Sequence, residues 1–256
     1  MPDTKIAAQL WTIRENIKTA EDFAASMKRL AEIGYGAVQP NWKVPFESTE
    51  ELKKVLDENG LICCATHYPA DAYSSDLDAV IALHKTMNCS YPGVGGAPKE
   101  ARGSAEAMGA WARRMHEVCA KLKAEGMRFV YHNHHWELTR ENGRTRLDVL
   151  LEEGPEDFTL ELDLYWIQAG GGNPVSWIRK CAGRCPVLHF KDMGIEDGET
   201  ADVAVGEGNL EWPAIIAAAE EAGAEWYVVE EDHPAGGDGF ACLETSLKNL
   251  KALGVS

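Results

Sequence analysis

The sequence predicts an α/β protein that forms a single (β/α)8 TIM barrel over residues 1–256. Eight short β-like runs alternate strictly with eight helical patterns, which is typical of parallel strands joined by right-handed crossovers. Eight such units in 256 residues match the count and the size of this barrel. The first strand ends in QLWTIRE, without the glycine-rich phosphate loop that usually marks a doubly wound open sheet.

The first half of the chain supplies four strand and helix pairs. Strands are predicted at 5–11, 35–40, 61–67 and 89–96, and helices at 19–34, 48–60, 75–88 and about 104–126. Thr19 is the expected cap of the first helix, and Gly34 is its expected end. Ser48 and Glu51 form a capping-box pattern at the start of the second helix.

The second half repeats the same alternation. Strands are predicted at 128–133, 158–166, 185–192 and 224–232, and helices near 146–153, 174–181, 210–223 and 243–254. No linker, low-complexity tract or block of like charge separates these elements. The sequence therefore predicts one domain.

Composition limits the classes of partner and the compartment. The formal charge of −16 argues against nucleic acid and against an anionic membrane surface, so a small-molecule partner is expected, with a homo-oligomer as an option. The seven cysteines contain no CxxC pair, and Cys63 and Cys64 lie in an apolar run where they are expected to be buried. Reduced thiols and the lack of a signal-peptide pattern or membrane-spanning run predict a cytoplasmic protein.

Polar side chains recur where catalytic groups of a TIM barrel lie, at the carboxyl ends of the strands. Taken singly, Asp163 has an ordinary explanation as a helix cap, His189 as a buried hydrogen-bonded histidine and Glu230 as a solvated acid. Three successive strands that end in Asp, His and Glu nevertheless indicate a site. Carboxylate and imidazole ligands suit Mn²⁺, Co²⁺, Zn²⁺ or Mg²⁺ better than a thiolate site would. The strand-end residues are Gln9, Gln39, His67, the cluster from His132 to Glu137, Asp163, His189 with Lys191, and Glu230 with Glu231 and Asp232.

Five stretches carry a resemblance to a known family: VYHNHHWEL, ELDLYWIQAGGGNPVSWI, CAGRCPVLHFKDM, VGEGNLEW and WYVVEED. Over nearly its whole length the chain resembles the sugar isomerase/epimerase superfamily with the xylose-isomerase-like TIM barrel. It is most similar to the branch of sugar phosphate isomerases/epimerases and inosose dehydratases. The resemblance implies one divalent metal held by Glu, Asp, His and Glu from strands 5 to 8. Asp163, His189 and Glu230 match the last three of these ligands.

Strand 5 departs from the family pattern, because YHNH stands where many epimerases have a glutamate. We assign the first ligand to Glu137, which can reach the metal if the chain stays extended past the barrel rim. Otherwise His132 or His134 is the ligand. The remaining imidazoles are expected to bind substrate or to orient the ligands, and His135 to be a polar loop residue.

A metal among carboxylates supports proton abstraction next to a carbonyl. The sequence thus predicts a metal-dependent isomerase or epimerase that acts on a keto-sugar or related polyol through an enediolate stabilised by the metal. The alternative is a dehydratase or β-elimination lyase that uses the same site on an inosose or 3-keto-glycoside. The expected catalytic residues are Glu137, Glu230, Lys191 and His132, and the expected substrate-binding residues are His67, His134, Trp166, Gln9 and Trp11. Lys191 has the alternative of a surface lysine paired with Asp192.

A phosphorylated substrate is not expected. VGEGNLEW places two glycines before a helix, but Glu207 between them would repel an anion. Two other classes of protein compete with the isomerase. An apurinic-site endonuclease of the same barrel needs a basic face, which a chain of charge −16 lacks, and a non-catalytic sugar-binding protein would have lost the ligands.

Overall fold

The computed structural model describes residues 4–41 and 44–256, where nine parallel strand segments form one sheet that curls into a nearly closed barrel. The first segment pairs with the last, with Ala7 opposite Val228. The segments are Ile6–Gln9, Ala37–Gln39, Ile62–Cys63, Thr66–His67, Pro92–Val94, Phe129–His132, Phe158–Asp163, Val187–Phe190 and Trp226–Val229. Helices lie between successive strands, so the predicted TIM barrel is confirmed.

The barrel has eight strand positions because the third strand is made of two pieces. Ile62–Cys63 pairs with the second strand, and Thr66–His67 pairs with the fourth. An isolated parallel bridge between Asn41 and His67 connects the two sides of this seam. We number the strands 1 to 8 in chain order and treat the two pieces as strand 3.

The helices follow the predicted order and begin at the predicted caps. Thr19 Oγ1 accepts a hydrogen bond from the Asp22 N–H at 3.1 Å, and Ser48 Oγ accepts one from the Glu51 N–H at 3.2 Å. Gly34 ends the first helix with φ of 113°, a conformation that favours glycine. The α-helices are Ala20–Ile33, Thr49–Glu58, Ala72–Ser75, Leu77–Thr86, Ala105–Ala124, Arg146–Glu153, Leu164–Ala169, Pro174–Lys180, Trp212–Glu221 and Gly239–Ala252.

Several predicted strands end earlier than expected, and two of them change the elements next to the site. The strand predicted at 158–166 stops at Asp163, because the Asp163 side chain accepts from the Trp166 N–H and starts the helix Leu164–Ala169. The strand predicted at 185–192 stops at Phe190. The chain then forms an antiparallel hairpin, in which Asp192–Glu196 pairs with Glu199–Val203.

The core consists of the apolar side chains between barrel and helices and those inside the barrel. All seven cysteines are buried and free, as predicted for Cys63 and Cys64. Within residues 4–41 and 44–256, no helix combines the length and the apolar character that crossing a bilayer requires.

Candidate metal centre and substrate cavity

A cavity of about 460 Å³ opens at the carboxyl ends of the barrel strands. This volume lies in the range of small-molecule sites. Both ring-bearing and titratable side chains form its wall, as the strand-end pattern predicts. The lining residues are Trp11, Asn41, His67, Tyr68, Gly95, His132, His134, Trp166, Glu230 and Asp232.

Four buried side chains from strands 5 to 8 converge at one end of this cavity: His132, Asp163, His189 and Glu230. Each offers one ligand atom, and these atoms lie within 4.8 Å of one another. His189 Nδ1 lies 3.0 Å from Glu230 Oε2 and 3.7 Å from Asp163 Oδ2. His132 Nε2 lies 3.3 Å from the same Asp163 oxygen. We call these four residues the ligand cluster.

Asp163 combines a structural role with a place in the ligand cluster. Its Oδ1 accepts from the Trp166 N–H at 2.8 Å and caps the following helix, while Oδ2 faces the imidazoles. The Asp163 N–H donates to Asn133 Oδ1 at 3.0 Å, which anchors the strand end. One oxygen of this carboxylate therefore caps the helix, and the other faces the candidate ligand atoms of the cluster.

The charges in the cluster favour a positive ion. Burial would raise the pKa of Glu230, but the neighbouring His189 and Lys191 outweigh it and lower this pKa to about 2. The pKa of Asp163 is likewise lowered, because His132 and His189 outweigh the effect of burial. Burial would lower the pKa of His189, but Glu161 and Glu230 outweigh it and raise this pKa well above its ordinary value. The cluster thus keeps its carboxylates ionised and draws positive charge to the position between them.

The donor set fits a divalent cation. Buried carboxylates need a compensating charge, and the lysine beside the cluster, Lys191, already donates to Asp232. Nδ1 of His132 is buried without a hydrogen-bond partner among the described residues. Two carboxylates and two imidazoles match the ligand preferences of Mn²⁺, Co²⁺ and Zn²⁺, and the oxygens also suit Mg²⁺.

Glu137, which we assigned as the strand 5 ligand, lies outside the ligand cluster. The chain turns into the short 3-10 helix His135–Leu138 directly after strand 5 instead of staying extended. Glu137 Oε1 then accepts from the Tyr131 hydroxyl at 2.5 Å, and Oε2 accepts from the His134 N–H at 2.9 Å. Burial raises the pKa of Glu137 to about 7, although these two donors oppose the rise. His132, the alternative to Glu137, lies in the ligand cluster.

Lys191 is fully buried, not a surface lysine. Its Nζ donates to Asp232, and it lies 3.8 Å from Asp202 Oδ2 and 4.0 Å from Glu230 Oε2. Burial would lower the pKa of Lys191, but Glu230 and the other carboxylates around it raise this pKa well above its ordinary value. The alternative pairing with Asp192 is absent, since the nearby acids that Lys191 contacts are these three.

Of the predicted substrate-binding residues, His67, His134, Trp166 and Trp11 line the cavity and Gln9 does not. Gln9 is fully buried below it, with both amide atoms used within the protein. Burial and the neighbouring His132 lower the pKa of His134 to about 3, so this ring is neutral at neutral pH. His134 Nδ1 is buried and has no partner among the described residues, which leaves it available to a ligand. His135, which was expected to be a polar loop residue, is exposed but begins the 3-10 helix His135–Leu138.

The loop 205–212 binds a carboxylate of the protein itself. Asp192 is fully buried, and its two oxygens accept hydrogen bonds from the N–H groups of Met193, Gly206, Gly208 and Leu210 and from Trp212 Nε1. A Cβ atom at Gly208 would lie 2.4 Å from Asp192 Oδ1, so this position requires glycine. The amides that a phosphate would need are therefore already occupied.

Two buried polar residues, Glu161 and Gln39, lie beneath the cluster and were not assigned a role from the sequence. Glu161 is fully buried, and its carboxylate contacts the imidazoles of His67 and His189. Gln39 donates to the same carboxylate at 2.6 Å. A signal for Glu161 existed: it stands two residues before Asp163 on one strand, so both side chains point into the barrel.

Comparisons with known proteins agree with this architecture. A family model described as xylose isomerase-like TIM barrel matches residues 27–253. A sugar phosphate isomerase/epimerase from Parabacteroides distasonis is 22% identical, with a TM-score of 0.80 over 98% of this chain and 95% of that one. The probable 3-DHS dehydratase AsbF from Bacillus anthracis is 15% identical, with a TM-score of 0.74 over 97% and 99% of the two chains.

A D-allulose 3-epimerase from Methylomonas sp. is 13% identical, with a TM-score of 0.70 over 98% of both chains. At these identities the solved structures establish the shared fold. A search of curated protein sequences found no match.

Proposed function

Since the chain belongs to the xylose isomerase-like TIM-barrel family, we propose that it is a divalent-metal-dependent sugar isomerase or epimerase. Its substrate is a keto-sugar or related polyol, and the reaction is proton abstraction next to a carbonyl through an enediolate. The observation that carries this proposal is the ligand cluster of His132, Asp163, His189 and Glu230, of which His132 and Glu230 line the cavity.

In this proposal the four residues of the ligand cluster hold the cation, with His132 in the place first assigned to Glu137. A cation held there would polarise the substrate carbonyl and thereby acidify the neighbouring C–H. Mn²⁺, Co²⁺, Zn²⁺ and Mg²⁺ are the ions that this donor set suits. Glu137 lies outside the cavity wall, so its contribution is to fix the turn after strand 5 through Tyr131 and the His134 N–H.

The proton from the substrate carbon needs an acceptor that faces the cavity. Glu230 and Asp232 are the carboxylates on the cavity wall, and only Glu230 belongs to the ligand cluster. Burial raises the pKa of Asp232, and Lys191 opposes the rise by donating to it. We assign proton transfer to the pair of Asp232 and Lys191, with Glu230 as ligand and second carboxylate near the reacting carbon.

The cavity suits an unphosphorylated polyol. Trp11 and Trp166 provide aromatic faces for a sugar ring, and His67 and His134 provide ring nitrogens for its hydroxyls. No lysine or arginine occurs among the lining residues in the described part of the chain. The amides of the loop 205–212 are occupied by Asp192, as described above. The net charge of −16 also favours a small molecule over nucleic acid as partner.

The second function that we propose as a candidate is a dehydratase or β-elimination lyase with the same metal site. Loss of a hydroxyl or alkoxy group requires a proton for the leaving oxygen, in addition to the base that removes the C–H proton. Asp232 can take the C–H proton and then give it to the leaving oxygen, while Lys191, held between Asp232 and the indole of Trp166, stays protonated and keeps Asp232 in place. This pair is the observation that favours elimination.

Protein purified without chelator tests the metal, and a panel of keto-sugars, inososes and 3-keto-glycosides in D₂O tests the reaction. We expect about one equivalent of divalent metal per chain by elemental analysis and solvent deuterium at the carbon next to the carbonyl by NMR. A product that is still an intact sugar and carries deuterium at this carbon identifies an isomerase or epimerase. An unsaturated or cleaved product identifies a lyase. Full activity of metal-free protein would refute the mechanism. Absence of both exchange and an isotope effect with substrate deuterated at that carbon would refute proton abstraction.

A further inference from the structure

A chain of hydrogen bonds runs beneath the cavity from the backbone of strand 1 to the carboxylate of Glu161. The Trp11 N–H donates to Gln9 Oε1 at 3.1 Å, so the amide nitrogen of Gln9 is the atom that faces Gln39. Gln9 Nε2 donates to Gln39 Oε1 at 2.8 Å, and Gln39 Nε2 donates to Glu161 Oε1 at 2.6 Å. A backbone donor at one end and a carboxylate at the other determine the orientation of both amides.

This orientation determines which nitrogen of His189 carries a proton. His189 Nε2 lies 2.8 Å from Gln39 Oε1 and 3.1 Å from Glu161 Oε1, and both of these atoms accept hydrogen bonds. Nε2 must therefore be an N–H. In a neutral ring the lone pair is then on Nδ1, which faces Asp163 and Glu230 in the ligand cluster.

The other oxygen of Glu161 determines the tautomer of His67 in the same way. Glu161 Oε2 accepts from His67 Nε2 at 2.5 Å, so this nitrogen is also an N–H. Nδ1 of His67 faces Gly95, because a Cβ atom added at Gly95 would lie 3.2 Å from this nitrogen. His67 and Gly95 both line the cavity. A neutral His67 thus offers an unprotonated Nδ1 as an acceptor for a substrate hydroxyl.

We propose that Glu161 is a positioning residue that sets the tautomers of both imidazoles. It directs Nδ1 of His189 at the cation and Nδ1 of His67 at the substrate. The part that concerns His189 rests on the proposed metal site, whereas the part that concerns His67 is independent of any metal. One buried carboxylate on strand 6 thereby couples ligand geometry on strand 7 to substrate recognition on strand 3.

The substitution Glu161→Gln changes the number of acceptors without changing the shape. Three N–H donors converge on Glu161, two at Oε1 and one at Oε2. A glutamine has one oxygen, which satisfies most donors at the Oε1 position, so its NH₂ group faces His67. His67 then presents a lone pair at Nε2 and moves its proton to Nδ1, which turns the cavity-facing acceptor into a donor.

Nitrogen-15 NMR of histidine-labelled protein at pH 8 tests the proposal directly. In metal-free wild-type protein we expect His67 as the Nε2–H tautomer, with its signals assigned through a His67→Asn variant. In Zn²⁺-loaded protein we expect His189 with a metal-bound Nδ1 and a protonated Nε2. A wild-type His67 that carries its proton on Nδ1 alone would overturn the proposal, whether or not the protein binds metal.

Glu161→Gln is expected to switch His67 to the Nδ1–H tautomer and to weaken Co²⁺ binding about 10–100-fold. Thr159→Val is the matched control, because Thr159 lies two residues earlier on the same strand and donates to the Phe129 carbonyl oxygen, away from both imidazoles. The control should lower thermal stability but leave tautomers and Co²⁺ affinity unchanged. An Nε2–H tautomer of His67 that persists in folded Glu161→Gln protein would refute the positioning role. If Glu161→Gln does not fold, the histidine tautomers measured by NMR in the wild-type protein decide whether the proposal holds.

Discussion

The substitution Asp192→Asn tests whether the Asp192 carboxylate anchors the loop 205–212 through its hydrogen bonds. It keeps the shape of the side chain and replaces one of its two oxygens with an NH₂ group. In the native protein Oδ2 accepts three hydrogen bonds, from Gly206, Gly208 and Trp212, and Oδ1 accepts two, from Met193 and Leu210. The least unfavourable orientation of the asparagine side chain keeps its oxygen at the Oδ2 position. Its NH₂ group then faces the backbone N–H groups of Met193 and Leu210.

The expected cost follows from those two donors. Leaving a buried donor without an acceptor costs about 1–3 kcal/mol, so we expect Asp192→Asn to lower the free energy of unfolding by about 2–6 kcal/mol. That is a large part of the ~5–15 kcal/mol by which a domain is stable. The loop is also expected to detach from the hairpin before the barrel unfolds.

Urea denaturation with chelator present measures this loss, because chelation removes any contribution from bound metal. Asp197→Asn is the control: Asp197 lies in the hairpin turn with φ of 51°, a conformation that asparagine adopts readily, and its side chain is exposed. The control should change stability by no more than ~0.5 kcal/mol. A loss below ~1 kcal/mol for Asp192→Asn would show that the five hydrogen bonds do not anchor the loop.

Three further predictions concern the ligand cluster and the turn after strand 5. Asp163→Asn and Glu230→Gln should keep the barrel but lose most of their metal content and turnover, and near-normal turnover would remove that residue from the ligand set. His132→Ala should abolish metal binding measured by calorimetry while Glu137→Gln retains it; the reverse result would restore Glu137 as the strand 5 ligand. Because the pKa of Glu137 is raised to about 7 from 4.5, the native state holds this proton more tightly than the unfolded chain does. The free energy of unfolding of metal-free protein should therefore fall as the pH rises from about 4.5 to 7, and urea titrations should show a smaller fall in Glu137→Gln; equal slopes would contradict this.

The barrel was predictable because its strands and helices have different periods and clear ends. Thr19 and Ser48 cap their helices as their positions in the sequence indicate. The hairpin 192–203 was missed, since its first strand follows strand 7 after one residue and continues the same β-like pattern. The helix 164–169 was missed because LDLYW reads equally well as the end of a strand.

The position of a candidate ligand was predictable where the residue lies at the end of a strand and not where it follows a turn. Asp163 and His189 lie within strands 6 and 7, and Glu230 follows strand 8 directly, so the strand positions alone bring them together. Glu137 lies beyond the turn, and its direction depends on hydrogen bonds with Tyr131 and His134. A pattern of residue types does not contain the geometry of that turn.

In the proposed mechanism, the place of His132 in the ligand cluster changes which group moves the substrate proton. A set of Glu, Asp, His and Glu would contain three carboxylates, whereas the observed cluster contains two, whose charge a dication balances. Two of the other carboxylates lie close to the cluster or to Lys191: the buried Glu161, which is satisfied by three N–H donors, and the half-buried Asp232, which is paired with Lys191. Of these two, only Asp232 lines the cavity. In the proposed mechanism a dication and its two carboxylate ligands would be neutral as a unit. Asp232 would then be the carboxylate that exchanges a proton with the substrate, and Lys191 would hold Asp232 at the cavity wall.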